Sequence, residues 1–321
     1  MGNGCCKLRT AALAIVLAMG LALAAATPAA LAQKVSFKDP KDDDNGPGKY
    51  TYPTDPVYKP GSFDMTGFTL KAHGDKVDLD VEMAAKLDDP WKTGSGFSVQ
   101  MVFIFVQTRA ETKAAGGKPE AAKAGAGEKK SGAHGAAGGG KAAAKPAGEQ
   151  HGFTQGLPGL QVQFAPDDAW DRCIILSPEP ASRVRAEVEA KAAAMKDAIV
   201  IPARVKGSGH AISATVDRKA LGSGDPTDWA YQVVIASSDP YPAADSLLVR
   251  KVVETESQHR FGGGSDGDCG PNVLDVLAGD GKGEPGEAAK QHEMLQYECN
   301  PDNTPKKLAT LKLVRLEKDE D

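Results

Sequence analysis

Short segments in which apolar and polar residues alternate recur along the chain, with turn residues between them. The clearest runs from residue 77 to residue 83, where the apolar residues are Val77, Leu79, Val81 and Met83. A period of two places one face of a strand in the core and the other in water, so this segment predicts a half-buried antiparallel strand. Residues 97–106 are almost continuously apolar. They predict a central strand with both faces buried.

Further strands are predicted at residues 63–70, 159–164, 171–176, 198–202, 210–216, 231–236 and 308–316. Residues 183–189 also alternate, and with the Ala-rich residues 190–198 they predict a strand that runs into a short helix. Glycine, proline and aspartate separate most of these segments. Many short strands at intervals marked by turns are typical of an all-β fold. We therefore predict an antiparallel β-sandwich of the immunoglobulin-like or jelly-roll type.

Two segments fall outside this pattern. Lys7 and Arg9 precede an apolar run that is followed by Ala30-Leu31-Ala32, which predicts a signal peptide over residues 1–32 and export of the mature chain. Residues 113–150 consist mainly of alanine, glycine and lysine, so they predict a disordered insert. The remaining residues, 33–316, are expected to form one domain interrupted by this insert, with an acidic tail at 317–321.

The charge of the chain narrows its possible partners. The net charge is −5, and the predicted signal and insert are both basic, so the predicted folded part is more acidic still. Proteins that bind nucleic acid concentrate lysine and arginine, so no nucleic-acid partner is expected. After signal removal no apolar run reaches the ~20 residues of a membrane span. We expect a periplasmic, cell-surface or extracellular protein that binds cations or neutral glycans, with envelope components as partners.

The cysteines divide into three groups. Cys5 and Cys6 lie in the predicted signal, and Cys173 lies in an apolar strand, where a free thiol behaves as a small buried residue. Cys269 and Cys299 both lie in loop-like sequence. We predict that they form a disulfide, which would contribute roughly 3–4 kcal/mol in the chain-entropy model.

A series of short motifs occurs in a fixed order along the chain. The motifs are Asp39-Pro40, Asp42-Asp43, Gly46-Pro47-Gly48-Lys49-Tyr50-Thr51-Tyr52-Pro53-Thr54, Pro60-Gly61-Ser62-Phe63-Asp64, Asp89-Pro90-Trp91, Gly96-Phe97-Ser98-Val99-Gln100 and Pro271-Asn272-Val273-Leu274-Asp275. In this order they resemble the C-terminal domain family of glucodextranase, which is DOMON-like and carbohydrate-binding-like. The resemblance implies a noncatalytic β-sandwich with an affinity for glycans or a role at the cell surface.

An aspartate cluster suggests a metal site. Asp42, Asp43 and Asp44 are followed by Asn45-Gly46, and this combination offers hard oxygen ligands on a backbone that bends easily. Calcium is the cation that such ligands suit, and Asp64 is placed to complete the site if the first strand returns beside it. The alternative is a solvated, Asp-rich turn.

Aromatic residues near turns are the candidates for sugar binding, because a flat ring can pack on a pyranose. We select Trp91, Tyr52 and Trp229, with Trp91 favoured because it lies between Pro90 and a Gly-Ser turn. The alternative for each is a core position. A carbohydrate or polysaccharide is therefore the expected partner.

The sequence contains no Walker loop, no HExxH motif and no CxxC motif. We therefore predict a noncatalytic, calcium-stabilised carbohydrate-binding module. The first alternative is a structural envelope protein without glycan binding. The resemblance to DOMON domains, some of which hold haem between a methionine and a histidine or lysine, implies a more distant alternative, a haem-binding redox protein that uses Met65, Met83 or Met101.

Overall fold

The computed structural model describes residues 33–108 and 152–317. The predicted signal peptide, the predicted insert and all but the first residue of the predicted tail lie outside these ranges. The strands are β1 Gln33–Lys38, β2 Met65–His73, β3 Lys76–Met83, β4 Gln100–Gln107, β5 Val162–Phe164, β6 Arg172–Leu176, β7 Ile199–Val200, β8 Val205–Ser208, β9 Ala211–Asp217, β10 Ala230–Ser237, β11 Asp275–Val276, β12 Glu298–Cys299, β13 Pro305–Lys307, β14 Ala309–Leu311 and β15 Val314–Arg315. The helices are α1 Ala181–Lys191, α2 Arg218–Leu221 and α3 Pro285–Met294.

The first sheet has five antiparallel strands in the order β1-β2-β3-β9-β8. Leu79 of β3 pairs with Leu70 of β2 on one side and with Ala214 of β9 on the other. The apolar positions of β3 are buried and its acidic positions alternate with them, which confirms the predicted half-buried strand. One face of this sheet therefore lies in the core and the other is polar.

The second sheet has the order β11-β10-β4-β6-β7, and β15 pairs with β10 along the same side as β11. Its central strands β4 and β10 are antiparallel and buried at every residue, as the apolar run predicts. The chain therefore forms the predicted β-rich sandwich of mainly antiparallel strands. Two short pairs, β5 with β14 and β12 with β13, lie outside the two sheets.

Each face of β4 belongs to a different core. Val102 and Ile104 pack in a core with the apolar residues of the first sheet, whereas Phe103 and Phe105 pack in a second core. Helix α1 covers part of this second core with Val184 and Val188. A central sheet that is covered on both faces explains why β4 lacks polar positions.

The prediction of a strand over residues 183–189 is wrong, because these residues lie in helix α1. The two buried residues, Val184 and Val188, are four apart, and this spacing fits one face of a helix as well as it fits alternation. An ion pair between Lys191 and Glu187 at 2.7 Å, at the helical spacing of four residues, supports the helix.

Cys269 and Cys299, the predicted pair, are joined by a disulfide with a Cα–Cα distance of 5.4 Å. The bond connects the loop before β11 to the short strand β12. Cys173 is a buried free thiol in the second core, where burial raises its pKa well above the ordinary value. Among the helices of residues 33–108 and 152–317, none has the length and apolar character needed to cross a membrane.

Candidate functional site

Four buried aspartates meet between the end of β1, the start of β2 and the edge strand β11. Asp39 follows β1, Asp43 lies in the next loop, Asp64 precedes β2 and Asp275 is the first residue of β11. Each of them is at most 5% exposed. One carboxylate oxygen from each of Asp39, Asp43 and Asp275 lies within 4.8 Å of the other two. We call these four residues the aspartate centre.

Only two oxygens of the aspartate centre accept hydrogen bonds of ordinary geometry. Oδ2 of Asp275 accepts from the backbone N–H of Met65 at 2.6 Å, and Oδ2 of Asp64 accepts from the backbone N–H of Asp42 at 2.8 Å. The other six oxygens are buried without a partner. Within the described ranges, no lysine or arginine forms an ion pair with any of the four carboxylates. Buried polar atoms are normally paired, so these oxygens are available to a proton or to a bound cation.

Burial is the largest cause that raises the pKa of every carboxyl in the aspartate centre, and the charges of the neighbouring aspartates add to it. The pKa values of Asp39 and Asp275 lie well above the ordinary value. The pKa of Asp43 is raised to about 7 and that of Asp64 to about 6. Without a cation, the four groups oppose one another's ionisation.

The loop that carries Asp43 is fixed to the rest of the fold by its backbone. Gly46 has a φ of +59°, and a Cβ there would lie 2.4 Å from the ring of Tyr50. Its N–H donates to the carbonyl of Leu274 at 2.8 Å, which ties the loop to the residue before β11. Gln291 of α3 donates to the carbonyl of Asp43 and accepts from the N–H of Val276 at 2.7 Å. Through Gln291, helix α3 therefore fixes the position of this loop relative to β11.

The predicted calcium ligands do not all lie in the aspartate centre. Asp43 and Asp64 do, but the side chain of Asp42 is exposed, and this residue takes part only through its N–H. The carboxylate of Asp44 accepts a hydrogen bond from the hydroxyl of Tyr52. Asp42 and Asp44 therefore lie outside the group of carboxylates that contains Asp43.

Asp39 and Asp275 were missed by the sequence-based ligand set. The local sequence marks both residues as unusual, because each is a charged residue beside strand-like sequence. Asp275 interrupts the apolar run 273–278, and Asp39 follows β1. A cluster of carboxylate oxygens suits a hard divalent cation, and Ca²⁺ takes six to eight such oxygen ligands. The clustered carboxylates of Asp39, Asp43 and Asp275, with Asp64 close by, offer the type of ligand that a calcium ion takes.

Of the aromatic residues selected for sugar binding, Trp91 is the most exposed. It is 36% exposed, whereas Trp229 is 1% exposed and Tyr52 packs against Phe63 and Phe261. Trp229 therefore lies in the core and is not accessible to a sugar, whereas Tyr52 is partly exposed and stays a weaker candidate than Trp91. Tyr241 is 90% exposed and lines the same cleft as Trp91.

The turn that carries Trp91 is ordered by one carboxylate. Asp89 accepts hydrogen bonds from the N–H groups of Thr93 and Gly94, both at 2.9 Å, and from the hydroxyl of Ser98. The N–H of Trp91 donates to the same hydroxyl at 3.3 Å. The tryptophan is therefore held on a fixed backbone.

The methionines considered for haem are buried in the cores. Met65 and Met83 pair across β2 and β3 in the first core, whereas Met101 packs in the second. Burial in the two cores is the ordinary environment of a methionine side chain.

Comparison with known families gives a match over most of the chain. The matching family is described as the C-terminal binding module, SLH-like, of glucodextranase, and the matched residues are 35–131 and 144–314. A comparison with curated proteins finds no match. The matched segments include all four residues of the aspartate centre and Trp91. The chain belongs to the glucodextranase C-terminal binding-module family.

Proposed function

We propose that this protein is an exported, noncatalytic module that binds carbohydrate at the cell envelope or outside the cell, and that calcium stabilises it. Membership of a binding-module family carries the proposal. The exposed face of Trp91, held on an ordered turn, supports it, because sugar rings pack on aromatic side chains of this kind. Binding therefore requires Trp91 but no catalytic group.

Calcium acts in this proposal as a structural ion. Bound between Asp39, Asp43, Asp64 and Asp275, it would join the end of β1, the start of β2 and β11 through one centre. The unpaired, buried carboxylate oxygens support this role. Calcium is favoured over magnesium because Mg²⁺ usually keeps several waters, whereas Ca²⁺ accepts a site made mainly of protein oxygens.

Affinity electrophoresis of the mature chain through gels that contain soluble polysaccharides tests the binding role. The wild type is expected to be retarded by at least one polysaccharide, and Trp91→Ala is expected to migrate freely. Tyr297→Ala serves as the matched control, because Tyr297 is a partly exposed aromatic residue outside the cleft. Equal retardation of Trp91→Ala and the wild type would remove Trp91 from the site.

The alternative of a structural envelope protein makes a different prediction. A folded wild type that no polysaccharide gel retards, but that sediments with isolated cell envelopes, would favour that alternative.

A further inference from the structure

One cleft brings together the two large apolar side chains that the described residues leave most exposed. Trp91 lies between β3 and β4, and Tyr241 follows β10, where its N–H donates to Oδ1 of Asp239 at 3.0 Å. The cleft measures about 680 Å³, which is within the usual size of a small-molecule site. Two aromatic faces at one opening can hold a sugar ring.

The same cleft contains more arginine than carboxylate. Arg183 pairs with Glu179 at 2.9 Å, and Arg250 lies 3.5 Å from Asp239. The third arginine, Arg260, is exposed and lines the cleft, and no carboxylate within residues 33–108 and 152–317 forms an ion pair with it. One positive charge therefore remains unpaired in the cleft of a chain whose net charge is −5.

Arg250 and His259 also line the cleft, and contacts fix the position of the Arg250 side chain. The guanidinium of Arg250 lies 5.9 Å from the centre of the Trp91 ring, and its Nε donates to the carbonyl of Ser238 at 3.1 Å. Beside it, Nδ1 of His259 is buried without a hydrogen-bond partner. The contacts of Arg250 therefore fix its side chain in the cleft, and Nδ1 of His259 remains able to form a hydrogen bond with a ligand.

We propose that this cleft binds a carboxylated sugar, a hexuronic acid unit of a polysaccharide, with the sugar ring on Trp91 and the carboxylate on Arg260. A guanidinium matches a carboxylate through two parallel hydrogen bonds, and a neutral glycan would leave it unused. This inference rests on the proposed function, because it names the class of carbohydrate. From the negative net charge we expect cations or neutral glycans as ligands. The inference differs from that expectation because the cleft carries an unpaired positive charge although the whole chain is negative.

Isothermal titration calorimetry of the mature chain with oligogalacturonides tests the inference, at a fixed calcium concentration. The matched ligand is the fully methyl-esterified oligomer, which keeps the ring and loses the charge, and dextran oligosaccharides serve as a second neutral probe. The free acid is expected to bind at least tenfold more tightly than the ester. Arg260→Gln is expected to weaken binding of the acid about tenfold, the loss expected for a charge-assisted hydrogen bond.

Arg185→Gln is the control variant, because Arg185 is an exposed arginine of α1 that does not line the cleft. It is expected to bind the acid like the wild type. Equal losses in Arg260→Gln and Arg185→Gln would indicate attraction by net charge alone and would overturn the inference. Binding of dextran or of the ester that depends on Trp91 but not on Arg260 would overturn the inference and leave the proposed function standing. Binding of none of the three probes would overturn the inference, and the polysaccharide gels would then decide the proposed function separately.

Discussion

The backbone N–H of Met65 donates to Oδ2 of Asp275 at 2.6 Å, across 210 residues of sequence. This bond fixes the start of β2 to β11 and leaves Oδ1 of Asp275 buried without a partner. A carboxylate held by one oxygen, with the other directed among further carboxylates, is arranged like a metal ligand. The calcium predictions follow from this arrangement.

Calcium is expected to raise the melting temperature of the metal-depleted mature chain by about 5–10 °C at a calcium concentration of roughly 100 Kd. This shift follows from a linkage free energy of about 2.7 kcal/mol and a domain of about 250 residues. Differential scanning calorimetry in calcium and in EDTA measures it. Identical melting curves would exclude a stabilising calcium site.

Asp275→Asn is expected to abolish the calcium-dependent rise in melting temperature. Asparagine keeps an oxygen that can accept from Met65 and removes the negative charge. In the absence of metal, the same variant is expected to melt above the metal-free wild type, because one of the repelling buried charges is gone.

Asp42→Asn is the control, because Asp42 is exposed and its φ of 67° is one that asparagine tolerates. It is expected to keep the full calcium response. If Asp42→Asn lost the response and Asp275→Asn kept it, the ligands would be Asp42, Asp43, Asp44 and Asp64, as the sequence predicts, and not the four residues of the aspartate centre.

The stability of the metal-depleted protein is expected to fall as the pH rises. Asp43 and Asp64 have folded-state pKa values of about 7 and about 6, both raised from 3.8, so the folded state binds more protons than the unfolded state between these values. Their unfavourable contribution is absent below about pH 4 and complete above about pH 7. Melting temperatures from about pH 4.5 to about pH 8 should therefore decrease without metal and vary less with calcium. A metal-free melting temperature that rises across this window would contradict the assigned environment of the two carboxyls.

Trp91 and Trp229 are expected to separate binding from stability. Trp229→Ala removes a buried side chain and is expected to cost about 3–5 kcal/mol of unfolding free energy. Trp91→Ala is expected to cost much less and to lose polysaccharide binding. Urea denaturation of both variants measures these losses of unfolding free energy. If Trp91→Ala were strongly destabilised, its loss of binding could result from unfolding and would not show that Trp91 contacts the sugar. In that case Trp91→Phe, which keeps an aromatic face, replaces it.

The strands were predictable because their signals are local. The alternation in β3 and the unbroken apolar run of β4 follow directly from which faces are buried. Helix α1 was not predictable from the same signal, because Val184 and Val188 satisfy a period of two and a spacing of four equally well. Only the packing of α1 on the second core distinguishes them.

The candidate site was predictable in part. Asp43 and Asp64 were found because the motifs around them are rich in turn residues and aspartate. Asp39 and Asp275 were not, because their contact depends on pairing between strands that are far apart in sequence. Trp91 and Trp229 both lie near turns in the sequence, so the sequence does not distinguish them. Only their burial in the fold shows that Trp91 is accessible to a sugar and Trp229 is not.

A glycan array probed with the mature chain, in calcium and in EDTA, measures carbohydrate binding itself. We expect binding to a limited set of glycans in calcium, loss of that binding in Trp91→Ala, and weaker binding in EDTA at temperatures where the metal-free protein begins to unfold. An empty array in calcium, from protein that melts cooperatively and responds to calcium, would contradict the claim that this module binds carbohydrate.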